Sequence, residues 1–161
     1  MTKVLYIYSG ERNLRFTGAV HKDFSDSQFY GLHYLQDFGI DAEYKELPGA
    51  FSILPFNLRH ALMFFRAYGY DVVFGPALLP MMIFKKIFQP KRKFVLLNIS
   101  IVRTFRKSSG LKKKILVWLL KEFDAVVCLS LFQVEYFKKN LPELSKKFFY
   151  VPLGVDVGAV L

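Results

Sequence analysis

The chain has 161 residues, enough to bury one hydrophobic core, and its 53% hydrophobic content with 18 Phe excludes a disordered polymer. Its formal charge of +10 is local. Between Lys85 and Lys114 stand eleven Lys or Arg and no Asp or Glu, so the remainder sums to −1.

Lys3 to Tyr8 reads as a first strand, apolar on both faces, broken by Ser9-Gly10-Glu11. A polar segment to about Ser27 follows. Phe29, Leu32, Leu35 and Phe38 then recur at helical spacing, with Gly39 as C-terminal cap. Ala42 to Leu47 is a second strand, polar enough to predict a place near an edge. A loop over 48–55 leads into a helix over Asn57 to Tyr68, whose Ala61, Phe64, Phe65 and Tyr68 face away from Arg59 and Arg66. Asp71 to Phe74 is a third strand stopped by Gly75-Pro76, and Pro80 to Phe88 a short helix with Pro at its start. Phe94 to Ile101 reads as strand four, Leu111 to Phe123 as a helix, Ala125 to Ser130 as strand five and Gln133 to Asn140 as a helix. Phe148 to Val151 is strand six, stopped by Pro152 before the turn at Gly154. Alternation of this kind predicts an α/β, Rossmann-like parallel sheet with helices on both faces.

Apolar runs such as Ala77 to Phe84 fall well short of the ~20 residues that span a bilayer. The N-terminus is too short and too interrupted for a signal peptide. Cys128, the single cysteine, sits in a predicted strand and fits a small core side chain in a reducing, cytoplasmic setting. Neither a Gly-x-Gly-x-x-Gly fingerprint nor a Walker-type loop is present, which argues against a simple dehydrogenase or nucleoside triphosphatase. His21, His33 and His60 form no recognisable metal-ligand spacing, so neither metal nor cofactor is expected. Ligands of an open parallel sheet bind beyond the strands' carboxyl ends. That rule selects Ser9 to Gly18, Gly75-Pro76, Asn98 to Phe105, Ser130-Leu131 and Gly154 to Asp156.

Strand Ala125 to Ser130, a following helix, and then Val151-Pro-Leu-Gly-Val-Asp156, with Gly39 closing an earlier helix and Asp71-Val-Val-Phe opening strand three, resemble the N-terminal domain of family 4-type glycosyltransferases. The resemblance implies one half of a GT-B fold. Residues 1–161 would be a single Rossmann-like N-terminal domain on the acceptor side. The C-terminal donor-binding domain would be absent, because the chain stops at Leu161 where the hinge would begin. It further implies a retaining transferase that takes a nucleotide-sugar donor, through that missing domain, and a sugar, lipid-linked or surface-polysaccharide acceptor. The residues it places at the acceptor or donor phosphate are Gly10, Arg12, Arg15, Gly18, Asn98, Arg103, Ser130, Gly154 and Asp156. The family's adjacent glycines after strand one are replaced here by separated Gly10 and Gly18. Its histidine after strand four is replaced by Asn98, so no catalytic residue is assigned. By itself the domain is expected to be inactive, since transfer requires donor and acceptor held together.

The basic window, interleaved with aromatic residues, predicts peripheral contact with an anionic membrane surface through Lys112, Lys113, Lys114 and Trp118. The helix itself reads as a poor amphipath, its three lysines pointing three ways. The alternative is a non-enzymatic α/β binding module whose basic surface meets anionic lipid or nucleic acid. Nucleic acid is not the expected partner, because no RNP-type, zinc-finger or helix-turn-helix signature appears.

Overall fold

The computed structural model describes residues 2–8, 35–46, 56–76 and 78–152. Six strands form one sheet: β1 (Lys3–Tyr8), β2 (Asp41–Glu46), β3 (Val72–Gly75), β4 (Lys93–Asn98), β5 (Ala125–Cys128) and β6 (Phe148–Tyr150). Their order is β2-β1-β3-β4-β5-β6 and every neighbouring pair is parallel. This is the Rossmann-like α/β sheet that the strand–helix alternation predicts. Val4, Leu5, Tyr6 and Ile7 of β1 are all buried, as an apolar run without alternation requires. The polar β2 takes an edge.

The described α-helices are α1 (Phe56–Arg66), α2 (Met82–Phe88), α3 (Ile101–Lys107), α4 (Gly110–Lys121) and α5 (Leu131–Asn140). The steps from β2 through β3, β4 and β5 to β6 all move the same way across the sheet. Right-handed connections therefore place all five helices on one face. Leu5, Val73, Phe94, Leu96, Val126 and Phe148 on that face form one core with Met63, Phe64, Met82, Phe105, Leu116, Leu120 and Phe137 of the helices. Phe64 stacks on Phe94 with ring centroids 5.9 Å apart, and Phe137 on Phe148 at 4.8 Å. The other face carries Val4 and Tyr6, packed with Leu35, Ile40, Val72 and Phe74. A 3-10 turn, Gln36–Phe38, lies between Leu35 and Ile40. Gly39 follows it at φ +70°, the left-handed cap that the sequence predicts.

Strand four is shorter than expected. It ends at Asn98, and Ile101, read as its last residue, opens α3. The cause is local: the Asn98 Oδ1 accepts the Ile101 backbone N–H at 3.0 Å, an Asx-type bond that draws the chain off the ladder. At the opposite end of the sheet Asp124 fastens β5 to its neighbours. Its carboxylate accepts the Phe94 backbone N–H at 2.8 Å and pairs with Lys85 at 2.7 Å and Lys93 at 3.3 Å. Burial alone would raise the pKa of this carboxyl. The Lys85 hydrogen bond, the Phe94 N–H, the Lys85 charge and the Lys93 hydrogen bond together outweigh it and hold the group below its ordinary value.

Candidate functional site

A groove of about 520 Å³ lies over the carboxyl ends of β4 and β5, between α3 and α5. Asn98 is the hinge of its construction. It is fully buried at the end of β4, and by accepting the Ile101 N–H it starts α3 directly there. Burial of Ile101, Val102 and Phe105 fixes one side of α3 against the core. Arg103, Arg106 and Lys107, at helical i, i+3 and i+4, are left to line the groove. From the other wall come Ser130, Phe132 and Gln133. Ser130 is the N-cap of α5: its Oγ accepts the Gln133 N–H at 3.3 Å, while the Gln133 Oε1 accepts the Leu129 N–H at 2.8 Å. That pair of bonds fixes both polar side chains at the mouth of β5.

The basic window has several destinations. Lys85 and Lys93 are tied to Asp124 and Lys86 to Glu122. Arg92 lies 4.3 Å over the Phe64 ring and donates to the Phe64 carbonyl at 3.0 Å, and burial lowers its pKa. Lys113 lies 4.6 Å over Phe105. Arg103, Arg106 and Lys107, by contrast, have no carboxylate partner among the described residues. Three unpaired cations in one concavity, with a hydroxyl and an amide opposite, make a site for an anion, and guanidinium groups suit the bidentate geometry of phosphate. The described lining holds no Asp, Glu or His. The described residues can bind and orient an anion and offset negative charge.

Of the residues expected at the site, Arg103 and Ser130 share this groove. Asn98 lies beneath it, its Nδ2 turned inward 3.6 Å from the Cys128 Sγ, so it positions α3 and does not itself face a ligand. Burial raises the pKa of the Cys128 thiol, which leaves it a core side chain. Gly10, Arg12, Arg15, Gly18, Gly154 and Asp156 lie outside the described residues. Lys112, Lys113, Lys114 and Trp118 belong to α4, on a separate surface. Sequence reasoning missed Gln133 and Phe132 as groove residues. The spacing Ser130-x-x-Gln133 is a capping-box signature and would have pointed to Gln133; no comparable signal marks Phe132.

The fold has solved counterparts. Anabaena Alr3699/HepE in complex with UDP superposes with a TM-score of 0.54 at 18% identity, over 98% of this chain and 45% of that one. The same protein in complex with UDP-glucose gives a TM-score of 0.56 at 17% identity, over the same shares of both chains. The likeness is one of fold. The present chain spans about 45% of the length of these counterparts. No family model and no curated protein sequence matches it.

Proposed function

We propose that this chain is the acceptor-side, N-terminal half of a retaining, nucleotide-sugar-dependent glycosyltransferase of the GT-B, family 4-like kind, acting on a lipid-linked or surface-polysaccharide acceptor. The observation that carries the proposal is the groove holding Arg103, Arg106, Lys107 and Ser130 at the carboxyl ends of β4 and β5. Support comes from the fold, shared with a protein solved with UDP and with UDP-glucose bound, and from the motif resemblance of strands five and six. Negative charge grows on a nucleoside diphosphate as the sugar leaves it. Cations fixed in advance by α3 oppose that charge without reorganising. The same cations suit the diphosphate of a lipid-linked acceptor.

The test is sugar transfer by the whole protein that carries this chain, from labelled UDP-glucose and other nucleotide sugars into lipid and polysaccharide fractions. Arg103→Ala with Arg106→Ala is expected to lower kcat/KM at least tenfold, since a charge-assisted hydrogen bond contributes about 1.5–3 kcal/mol. The 161-residue chain alone is expected to give no transfer. Full transfer by the double variant would contradict the assignment of the groove.

A further inference from the structure

We propose that the outer surface of the helical layer docks flat on an anionic lipid surface through α1, α2 and α4. In α1, Met63 and Phe64 face the sheet, while Leu58 and Phe65 point away, Phe65 being 49% exposed. In α4, Leu116 and Leu120 are buried, while Leu111 (73% exposed), Ile115 and Trp118 point away. In α2, Met82 is buried, and Ile83 and Ile87 (65% exposed) point away. At 3.6 residues per turn, positions i, i+4 and i+7 fall within about 60° of the helix circumference, so each set is a stripe. The five described α-helices pack on the same face of the sheet, so the three stripes look the same way. Apolar surface gathered in this manner marks a docking site. The sequence reading of α4 as a poor amphipath missed it, because the helix has two apolar faces: one in the core and one outside.

Charge complementarity identifies the occupant. By helical spacing Lys112 stands on one side of the α4 stripe and Lys114 and Lys121 on the other; Lys114 and Lys121 line, with Lys113, a depression of about 560 Å³ beside Trp118. From Leu78 to Lys121 the chain has twelve Lys or Arg and no acidic residue. The next carboxylates, Glu122 and Asp124, are drawn inward by Lys86, Lys85 and Lys93. A second copy would set one +10 chain against another. An apolar protein partner would leave the lysines desolvated without compensation. The boundary between anionic headgroups and acyl chains accepts both features, with Trp at the interface. No described helix is long and apolar enough to cross a membrane, so the contact lies on the surface. This inference is independent of the sugar-transfer reading and uses no groove residue.

Trp118 is the only tryptophan in the sequence, which makes it a built-in reporter. The experiment is co-sedimentation and Trp fluorescence of the full 161-residue chain with phosphatidylcholine vesicles, with and without phosphatidylglycerol, at low salt and at about 1 M salt. The chain is expected to pellet only with anionic vesicles and to release at about 1 M salt, where the Debye length is about 3 Å. Trp118 emission should shift to the blue on binding and be quenched by brominated acyl chains. Leu111→Ser with Ile115→Ser should abolish the shift, and Lys112→Gln with Lys114→Gln and Lys121→Gln should weaken binding about tenfold or more. All five positions are exposed, and unchanged thermal unfolding verifies that the variants fold. Failure to pellet with either vesicle would overturn the proposal. So would pelleting with Trp118 emission unchanged, or a concentration-dependent dimer that shields Trp118 without lipid. Loss of lipid binding leaves UDP-glucose transfer by the whole protein to be judged separately, because the variants that test transfer lie in the groove.

Discussion

Gly75 ends β3 where the backbone of β1 passes closest. A Cβ built there would stand 2.2 Å from the Ile7 carbonyl oxygen, and the residue sits at φ +156°. Neither obstacle can yield, because the neighbour is main chain of β1, a strand paired on both sides. Gly75→Ala is therefore expected to cost about 3 kcal/mol, the upper range for strain at a special backbone position. Urea unfolding measures it, and an alanine variant as stable as the parent would contradict this account of the β1–β3 junction. Gly75 was legible as a strand-ending residue, but the contact that demands glycine was not, since Ile7 is 68 positions away. Asn98 gives the same lesson in reverse. The sequence reading ran strand four on through Ile101, three residues past its end at Asn98. Whether its side chain faced a ligand or the core depended on Cys128 and Ile101, which only the folded sheet brings to it.

Asp124 decides how α2, β4 and β5 are joined, and it makes that junction pH-dependent. A carboxyl held below its ordinary value stabilises the fold fully above the unfolded value of about 3.9. That stabilisation is lost as pH falls through the lower, folded-state value. Asp124→Asn is expected to cost about 1.5–3 kcal/mol at about pH 7, from the lost charge-assisted bonds to Lys85 and Lys93. The gap between parent and variant should stay constant from about pH 7 to about pH 5 and close below about pH 4, as followed by denaturant titration. A gap unchanged in acid would show that the carboxylate charge does not hold the junction. At this scale the strands were the most legible elements, because runs such as Lys3–Tyr8 and Ala125–Cys128 are apolar, short and bounded by turn residues. α3 was not legible. In the stretch from Phe94 to Ile101 the apolar Ile99 and Ile101 continue past Asn98, so the seven-residue helix that Ile101 opens passed for strand and loop. With it went the reason that Arg103, Arg106 and Lys107 share a wall.

Over the whole molecule, a charge excess of +10 resolves into distinct uses. Lys85, Lys86 and Lys93 secure the base of the sheet, Arg92 lies on Phe64, Arg103, Arg106 and Lys107 line the groove, and Lys112, Lys114 and Lys121 edge the outer stripe of α4. The sequence alone showed one basic window. Only the helical layer on one side of the sheet and the strand ends along its rim separate these destinations, because they depend on which way each turn of helix faces. The central claim is that the rim groove holds a diphosphate. The direct measurement is a titration of the 161-residue chain with UDP-glucose and with inorganic diphosphate, followed by backbone amide resonances. Changes centred on Arg103, Ser130 and Gln133, weakened at least tenfold in the Arg103→Ala, Arg106→Ala variant, are the predicted result. Saturable changes confined to other parts of the chain, or equal binding by the variant, would contradict it.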